Sequence, residues 1–214
     1  QNLSQEQKKD VRTLKAFFKG IGVYGAEIKV RGFSGYASEV LIYRFGSFLN
    51  LLENAQKWKG KVNLGWNGEP DALGIPDPVD PSRNVTASVS IRSLSTFVAA
   101  AGFFLRRPSL RFFWPSGEEV KGRLDHVLIL RTGRPSSIDD VLWGEIWKAA
   151  DSIRKQLTKE GFTVFDVGAH AGPDYVCFAF YLSSRTRAAA YLMEGPPVNL
   201  IEDSITFVDK WSSH

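Results

Sequence analysis

The chain has 214 residues, 43% of them hydrophobic, a formal net charge of +4 and a single cysteine. That length supports one large domain or two small ones around packed cores, and one cysteine, Cys177, excludes an internal disulfide framework. No apolar run reaches the ~18 residues of a membrane span, the polar opening QNLSQEQKKD lacks a signal-peptide core, and no Cys/His cluster has zinc-ligand spacing, so a cytoplasmic protein with no membrane contact and no metal site is expected.

The first predicted element is a helix over 4–19. Ser4 and Gln7 have capping-box spacing, and Val11, Leu14, Phe17 and Phe18 recur with helical period. Gly20 and Gly22 end it. The stretch GIGVYGAEIKVRGFSGY carries five glycines and reads as loop with short extended pieces. A second helix is predicted over 37–58, its buried side marked by Val40, Leu41, Tyr43, Phe45, Phe48, Leu49 and Leu52. Residues 60–82, rich in Gly, Pro, Asn and Asp, read as a surface loop. Asp80-Pro81 has the form of a helix start, with Asp as cap and Pro in the first turn, and predicts a third helix running to about 105.

The pattern changes near Arg106. DHVLILR (125–131) reads as a strand, 138–160 as an amphipathic helix stopped by Gly161, and 162–167 and 175–182 as two more strands separated by a turn at 168–174. A further strand is predicted over 188–193 and a terminal helix over 200–211. The expectation is an α+β protein. Its domains would be a mostly helical central domain at 1–105, then a ferredoxin-like (RRM-like) antiparallel sheet domain at 106–214.

Charge is unevenly spread. Residues 1–67 hold 11 Lys/Arg against 5 Asp/Glu, whereas 106–214 hold 14 of each. A basic N-terminal third suits phosphate or nucleic acid, and it equally describes an ordinary solvated helix face. The strongest single feature is Lys15…Lys19-Gly20-Ile21-Gly22-Val23-Tyr24-Gly25, followed by Val30-Arg31-Gly32-Phe33-Ser34-Gly35-Tyr36. Glycines let backbone N–H groups approach phosphate oxygens, lysine and arginine neutralise them, and tyrosine stacks on bases. A structural turn with core aromatics fits the same residues. No Walker pattern is present. Arg106-Arg107-Pro108-Ser109-Leu110-Arg111-Phe112-Phe113-Trp114 sets three arginines beside three aromatics, a composition for RNA contact or for a linker with core rings and solvated cations. The sequon Asn84-Val85-Thr86 carries no weight alone, and His126, His170 and His214 lack any partner pattern.

The run LKAFFKGIGVYGAEIKVRGFSGYASEVLIYRFGSF, then DPVDPSRNVTASVS, FFLRRPSLRFFWP and GPPV, resembles archaeal CCA-adding enzymes (tRNA nucleotidyltransferases), block by block and in the same order, over nearly the whole chain. The resemblance implies addition of C, C and A to tRNA 3′ ends from CTP and ATP. It places incoming nucleotide against Lys15, Tyr24 and Arg83, with Arg83 in the first turn of a helix where free N–H groups favour anions. It also implies two Mg2+ ions held by carboxylates of an N-terminal catalytic head. That head's Gly-Ser motif and Asp-x-Asp pair have no counterpart here: Gly46-Ser47 is followed by no paired aspartates, and Asp77 and Asp80 sit three apart in a loop where turn roles suit them. The expectation is therefore a portion that binds nucleotide and tRNA, with no catalytic residue of its own and a catalytic head as partner in cis. It would be inactive alone, and RNA contact would run through Arg106, Arg107 and Arg111. The alternative is a stand-alone, non-catalytic RNA-binding or assembly module, or more remotely an unrelated basic interaction domain. The opening Gln1 fits a fragment, a processed product or an artificial start equally.

Overall fold

The computed structural model describes residues 3–114, 124–186 and 194–212, and its element order is helical first and sheet-containing second, an α+β architecture. The chain forms two compact units, one of Gln1–Gly122 with Gly133–Ala149, the other of Arg123–Thr132 with Ala150–His214.

The first unit opens with α1 (Gln5–Gly20), whose capping box is complete: Ser4 Oγ accepts from Gln7 N–H and the Gln7 side chain accepts from Ser4 N–H. Its Val11, Leu14, Phe17 and Phe18 are buried, as the period requires. The predicted second helix is two helices, α2 (Gly35–Phe45) and α3 (Phe48–Ala55). Apolar spacing runs through both, but Gly46 takes φ 83°, a left-handed value that ends α2, and Ser47 Oγ then accepts from Asn50 N–H to start α3.

The predicted third helix starts about ten residues later than Asp80-Pro81. It is α4 (Ile91–Arg106), capped by Ser90. Asp80 instead accepts from the backbone and hydroxyl of Ser82, closing a turn. Beyond it, Asn84 locks the chain in extended form: its side chain accepts from Ile75 N–H and from Thr86 and donates to Leu73 C=O. Both the oxygen and the nitrogen of this side chain are bonded inside the fold. Thus 60–82 is not simply a surface loop. It contains β1 (Val62–Asn63), parallel to β2 (Leu73–Gly74), and sends Ala72, Leu73 and Ile75 into the core.

That core is aromatic. Phe18 stacks on Phe33 at 4.3 Å, Phe97 meets both rings edge-on, and Phe17 contacts Phe48, Phe104, Phe112 and Phe113. The segment after α4 therefore belongs to this core through Phe112 and Phe113.

In the second unit, β3 (Val127–Gly133), β4 (Val164–Ala171) and β5 (Tyr175–Leu182) form a three-stranded antiparallel sheet in the order β3-β5-β4. The connection from β3 to β4 runs through α5 (Asp139–Lys159), the split order expected of the β-α-β-β pattern, although the helix up to Ala149 belongs to the first unit and only its remainder to the second. β4 continues to Ala171, past the end predicted from sequence, because His170 and Ala171 pair with Cys177 and Val176; the turn shrinks to 172–174. Val176, Phe178, Phe180 and Leu182 alternate inward along β5. The terminal helix is α6 (Ile201–Trp211). The strand predicted at 188–193 lies outside the described residues. Among the described residues no helix is long and apolar enough to cross a membrane.

Candidate functional site

The glycine-rich stretch forms a short ladder. Gly25 N–H donates to Phe33 C=O, Phe33 N–H to Val23 C=O, and Gly32 N–H to Gly25 C=O. Phe33 and Val23 are buried, so the ladder is fixed to the core from below and holds Tyr24 between its rungs. Gly32 is required for space: a Cβ there would run into the Val23 carbonyl oxygen and lie 2.7 Å from the Val23 carbonyl carbon. The intervening turn closes at Arg31, a non-glycine residue at φ 53°, whose carbonyl accepts from Ser90 N–H at the start of α4. Arg31 thus has a clear structural part.

The chain then enters α2, capped by Ser34, and the N-terminus of this helix is where side chains converge. A methyl group placed on Gly35 would sit 3.3 Å from Tyr24 Oη and 3.5 Å from Lys15 Nζ. Lys15, on α1, donates to Glu39 Oε1 at 2.8 Å, and Lys19 lies 5.0 Å over the Tyr24 ring. A lysine ammonium, paired with Glu39, and a phenol hydroxyl therefore meet beside the first residue of α2, a combination suited to an anion with an attached aromatic or sugar group.

A step around the same helix end, Tyr36 donates to Asp77 Oδ1 at 2.8 Å. Asp77 is buried and also accepts from Val79 N–H. Its carboxyl is held below the ordinary range, first by the Val79 amide, then by the Tyr36 hydroxyl, with the Arg83 charge contributing. The same hydrogen bond pushes the Tyr36 phenol above its ordinary value, while Arg83 pulls it down. Arg83 is exposed, and its backbone carbonyl accepts from Asp77 N–H, which places its charge near the Tyr36–Asp77 pair. It does not lie in a helix. It sits between Asp80 and Asn84, its own amide bonded to Asp80 C=O and its carbonyl to Asp77 N–H, so any anion contact rests on its guanidinium and not on helix amides.

Lys15 and Tyr24 are thus brought together directly, and Arg83 joins their helix end through Tyr36 and Asp77. Glu39, Tyr36 and Asp77 complete the cluster; Tyr36 belongs to the glycine-rich motif read from sequence, whereas Glu39 and Asp77 were not singled out as its members. The carboxylates here do not fit a Mg2+ pair, since Glu39 is committed to Lys15, Asp77 to Tyr36 and Val79, and among the described residues no three His, Cys, Asp or Glu side chains gather as a ligand set. Arg106, Arg107 and Arg111 stand apart from this cluster in chain position. All three are exposed, around a turn capped by Ser109, while Phe112 and Phe113 turn inward and Trp114 remains 69% exposed.

The Tyr36–Asp77 pair makes a pH prediction. The lowered Asp77 carboxyl contributes stability that is present above its unfolded value near ~3.9 and is lost as pH falls through the folded one. In Tyr36→Phe the Val79 amide remains, so the carboxyl rises only part of the way and acid unfolding begins at higher pH than in the wild type. Carboxyl carbon NMR of Asp77 and an acid titration by circular dichroism check this. A carboxyl that titrates unchanged would disprove the pairing.

Residues 9–114 match the model for the second domain of tRNA nucleotidyltransferases, and residues 123–214 match the model for the C-terminal domain of CCA-adding enzymes. The CCA-adding enzyme of Saccharolobus islandicus strain M.14.25 is 44% identical over 216 residues, which take in 95% of this chain and 51% of that protein. Those of Sulfolobus acidocaldarius and Sulfurisphaera tokodaii are 40% and 39% identical, each over 91% of this chain and 48% of the relative. The chain belongs to the archaeal CCA-adding enzyme family and corresponds to its second and C-terminal domains. It spans about half the length of the curated relatives it matches.

Proposed function

We propose that this chain is the nucleotide- and tRNA-binding portion of a cytoplasmic enzyme that adds C, C and A to tRNA 3′ ends from CTP and ATP, with metal-dependent chemistry supplied by a catalytic head in cis. The observation that carries the reading is the meeting of Lys15 Nζ and Tyr24 Oη at Gly35, the first residue of α2. Triphosphate oxygens take the ammonium and helix amides, Tyr24 supplies a ring and hydroxyl for base or sugar, and the Arg83 guanidinium approaches from the Asp77 side. In this reading residues 1–105 form a wall of the nucleotide pocket, and 106–214 grip tRNA. Arg106, Arg107 and Arg111 are solvent-facing cations suited to RNA phosphates, beside the exposed Trp114. Recognition of this kind reads A-form shape and backbone and weakens steeply with salt.

The test uses the head-containing enzyme. Tyr24→Ala and Arg83→Ala are each expected to weaken CTP binding roughly tenfold, the size of one charge-assisted or stacking contact, while tRNA affinity changes less than threefold. Isothermal titration with CTP and filter binding with tRNA separate the two. Equal losses in both, or in neither, would remove these residues from a nucleotide pocket.

A further inference from the structure

The turn that joins the two sides of the Tyr24 ladder is held from outside by α5. Trp143 and Trp147 share one face of that helix, at i and i+4, in the stretch that belongs to the first unit. Trp147 Nε1–H donates to Ile28 C=O at 2.9 Å, across 119 positions of sequence. Arg31 Cζ lies 5.9 Å from the Trp147 ring centroid and Lys29 Nζ lies 5.3 Å from that of Trp143, both within reach of a cation–π contact. The two indoles meet each other at 6.2 Å.

These contacts act on an exposed tip. Ile28 is 42% exposed, and Lys29 and Arg31 are exposed as well. Inside the turn the Val30 and Arg31 amides both donate to Glu27 C=O, which shapes the loop without tying it to the rest of the unit. The ties come from outside. On the Phe33 side, Ser90 N–H and Ser88 Oγ donate to the Arg31 and Gly32 carbonyls. On the Gly25 side, Trp147 does the same for Ile28.

The two tryptophans differ in what they explain. Trp143 is buried beside Leu142 and Ile146, so packing accounts for it. Trp147 is half-buried, and packing does not call for its donor: any apolar side chain would cover the same surface. Its N–H is aimed at a carbonyl of the turn and its ring lies under the guanidinium of Arg31, the residue at φ 53° where the turn closes. Arg31 stands among the phosphate-seeking residues of the glycine-rich motif, yet its charge is engaged at α5. A shift of this turn reaches Tyr24 by a short route, because Gly25 and Gly32, at the ends of the turn, are bonded to each other and Tyr24 directly precedes Gly25.

We infer that Trp147 is a positioning residue for the nucleotide site: it holds the 27–31 turn by the Ile28 carbonyl and the Arg31 guanidinium, and through the ladder it sets where Tyr24 stands. What Tyr24 contacts rests on the proposed function; the hold on the ladder does not.

Two variants separate the parts. Trp147→Phe keeps a ring and removes the donor, and Arg31→Gln removes the cation and leaves the donor. In the 214-residue chain, amide exchange of Gly25 and Phe33 followed by NMR is expected to quicken about fivefold in Trp147→Phe, the contribution of one hydrogen bond. Arg31→Gln is expected to quicken it about twofold, and α3 amides should not change in either. In the head-containing enzyme, Trp147→Phe is expected to weaken CTP binding about threefold and tRNA binding less than twofold. Added to Tyr24→Ala it should weaken CTP binding no further, because a residue that acts through Tyr24 then has nothing left to position. Losses that multiply in the double variant would mark a general structural role and overturn the inference. Unchanged exchange at Gly25 and Phe33 in both single variants would do so too, as would an equal rise at α3. If exchange quickens as expected while Tyr24→Ala leaves CTP affinity unchanged, the nucleotide-site reading fails and the hold of Trp147 on the ladder stands.

Discussion

Gly32→Ala is expected to destabilise the first unit by roughly 2–4 kcal/mol and to remove CTP binding at the Gly35 cluster. The added methyl meets the Val23 carbonyl, which is backbone and already bonded to Phe33 N–H. It cannot rotate away as a side chain would. Forcing an atom into a packed site costs about 1–3 kcal/mol, and parting the ladder adds about 1 kcal/mol for each hydrogen bond lost. The two rungs at risk, Gly32 to Gly25 and Phe33 to Val23, flank Tyr24, so the shift that relieves the clash also moves the phenol away from Gly35 and Lys15. Gly22→Ala is the informative control. Gly22 has φ 74° but open space around it, so the cost is backbone strain of about 1 kcal/mol with the Tyr24 ladder intact. Urea unfolding of both variants and CTP titration of the chain give the comparison. A Gly32→Ala protein within about 1 kcal/mol of wild type, still binding CTP, would mean that the ladder does not position Tyr24.

Which parts of this architecture could be read from the residues depends on how local their causes are. The capping box of α1 is written within four residues and reads correctly. The α5 helix and the β5 strand have periods that leave little choice. Asp80-Pro81 misleads because its local chemistry is that of a helix start, while the outcome is decided by Asn84, whose amide reaches back to Ile75 and Leu73. Side-chain to backbone bonds of this kind compete with helix formation and leave no periodic trace. The break at Gly46-Ser47 is missed in a reading of 37–58 as one helix, because the apolar period from Val40 to Leu52 continues across it. In the 60–82 stretch, loop composition hides Leu73 and Ile75, which are buried because strand pairing and Asn84 satisfy the backbone around them.

The candidate site divides in the same way. Lys15 and Tyr24 stand out because lysines and a tyrosine are interleaved with glycines over a short run. The partners that orient the site do not. Glu39 lies 24 residues from Lys15, and Asp77 lies 41 from Tyr36; neither has a motif, and only the closure of α1 onto α2 and of the 75–79 turn onto Tyr36 creates the pairs. Arg83 shows the intermediate case, a residue marked by its motif whose expected setting, a helix start, is replaced by a turn.

Phe17→Ala is expected to cost about 3–5 kcal/mol, the range for removing a fully buried ring. Phe17 has no exposed surface and touches four rings at once: Phe48 at 5.5 Å, Phe104 at 5.6 Å, Phe112 at 5.8 Å and Phe113 at 5.5 Å. These rings come from α3, α4 and the turn after α4, so the lost ring is the one that joins all three to α1. Relief by collapse is restricted, because α1 already presses its Gly20 against the Phe112–Phe113 backbone. The loss should therefore fall unevenly: the 110–113 turn, held by Phe112 and Phe113, loosens first, and amide exchange of Phe113 and Trp114 rises before that of α1. Phe17→Leu, which keeps most of the volume, should cost about 1–2 kcal/mol and leave exchange at that turn near wild type. Chemical denaturation with hydrogen exchange measured on the same samples decides it, and an Ala variant losing less than about 1 kcal/mol would show that the three elements are tied together elsewhere.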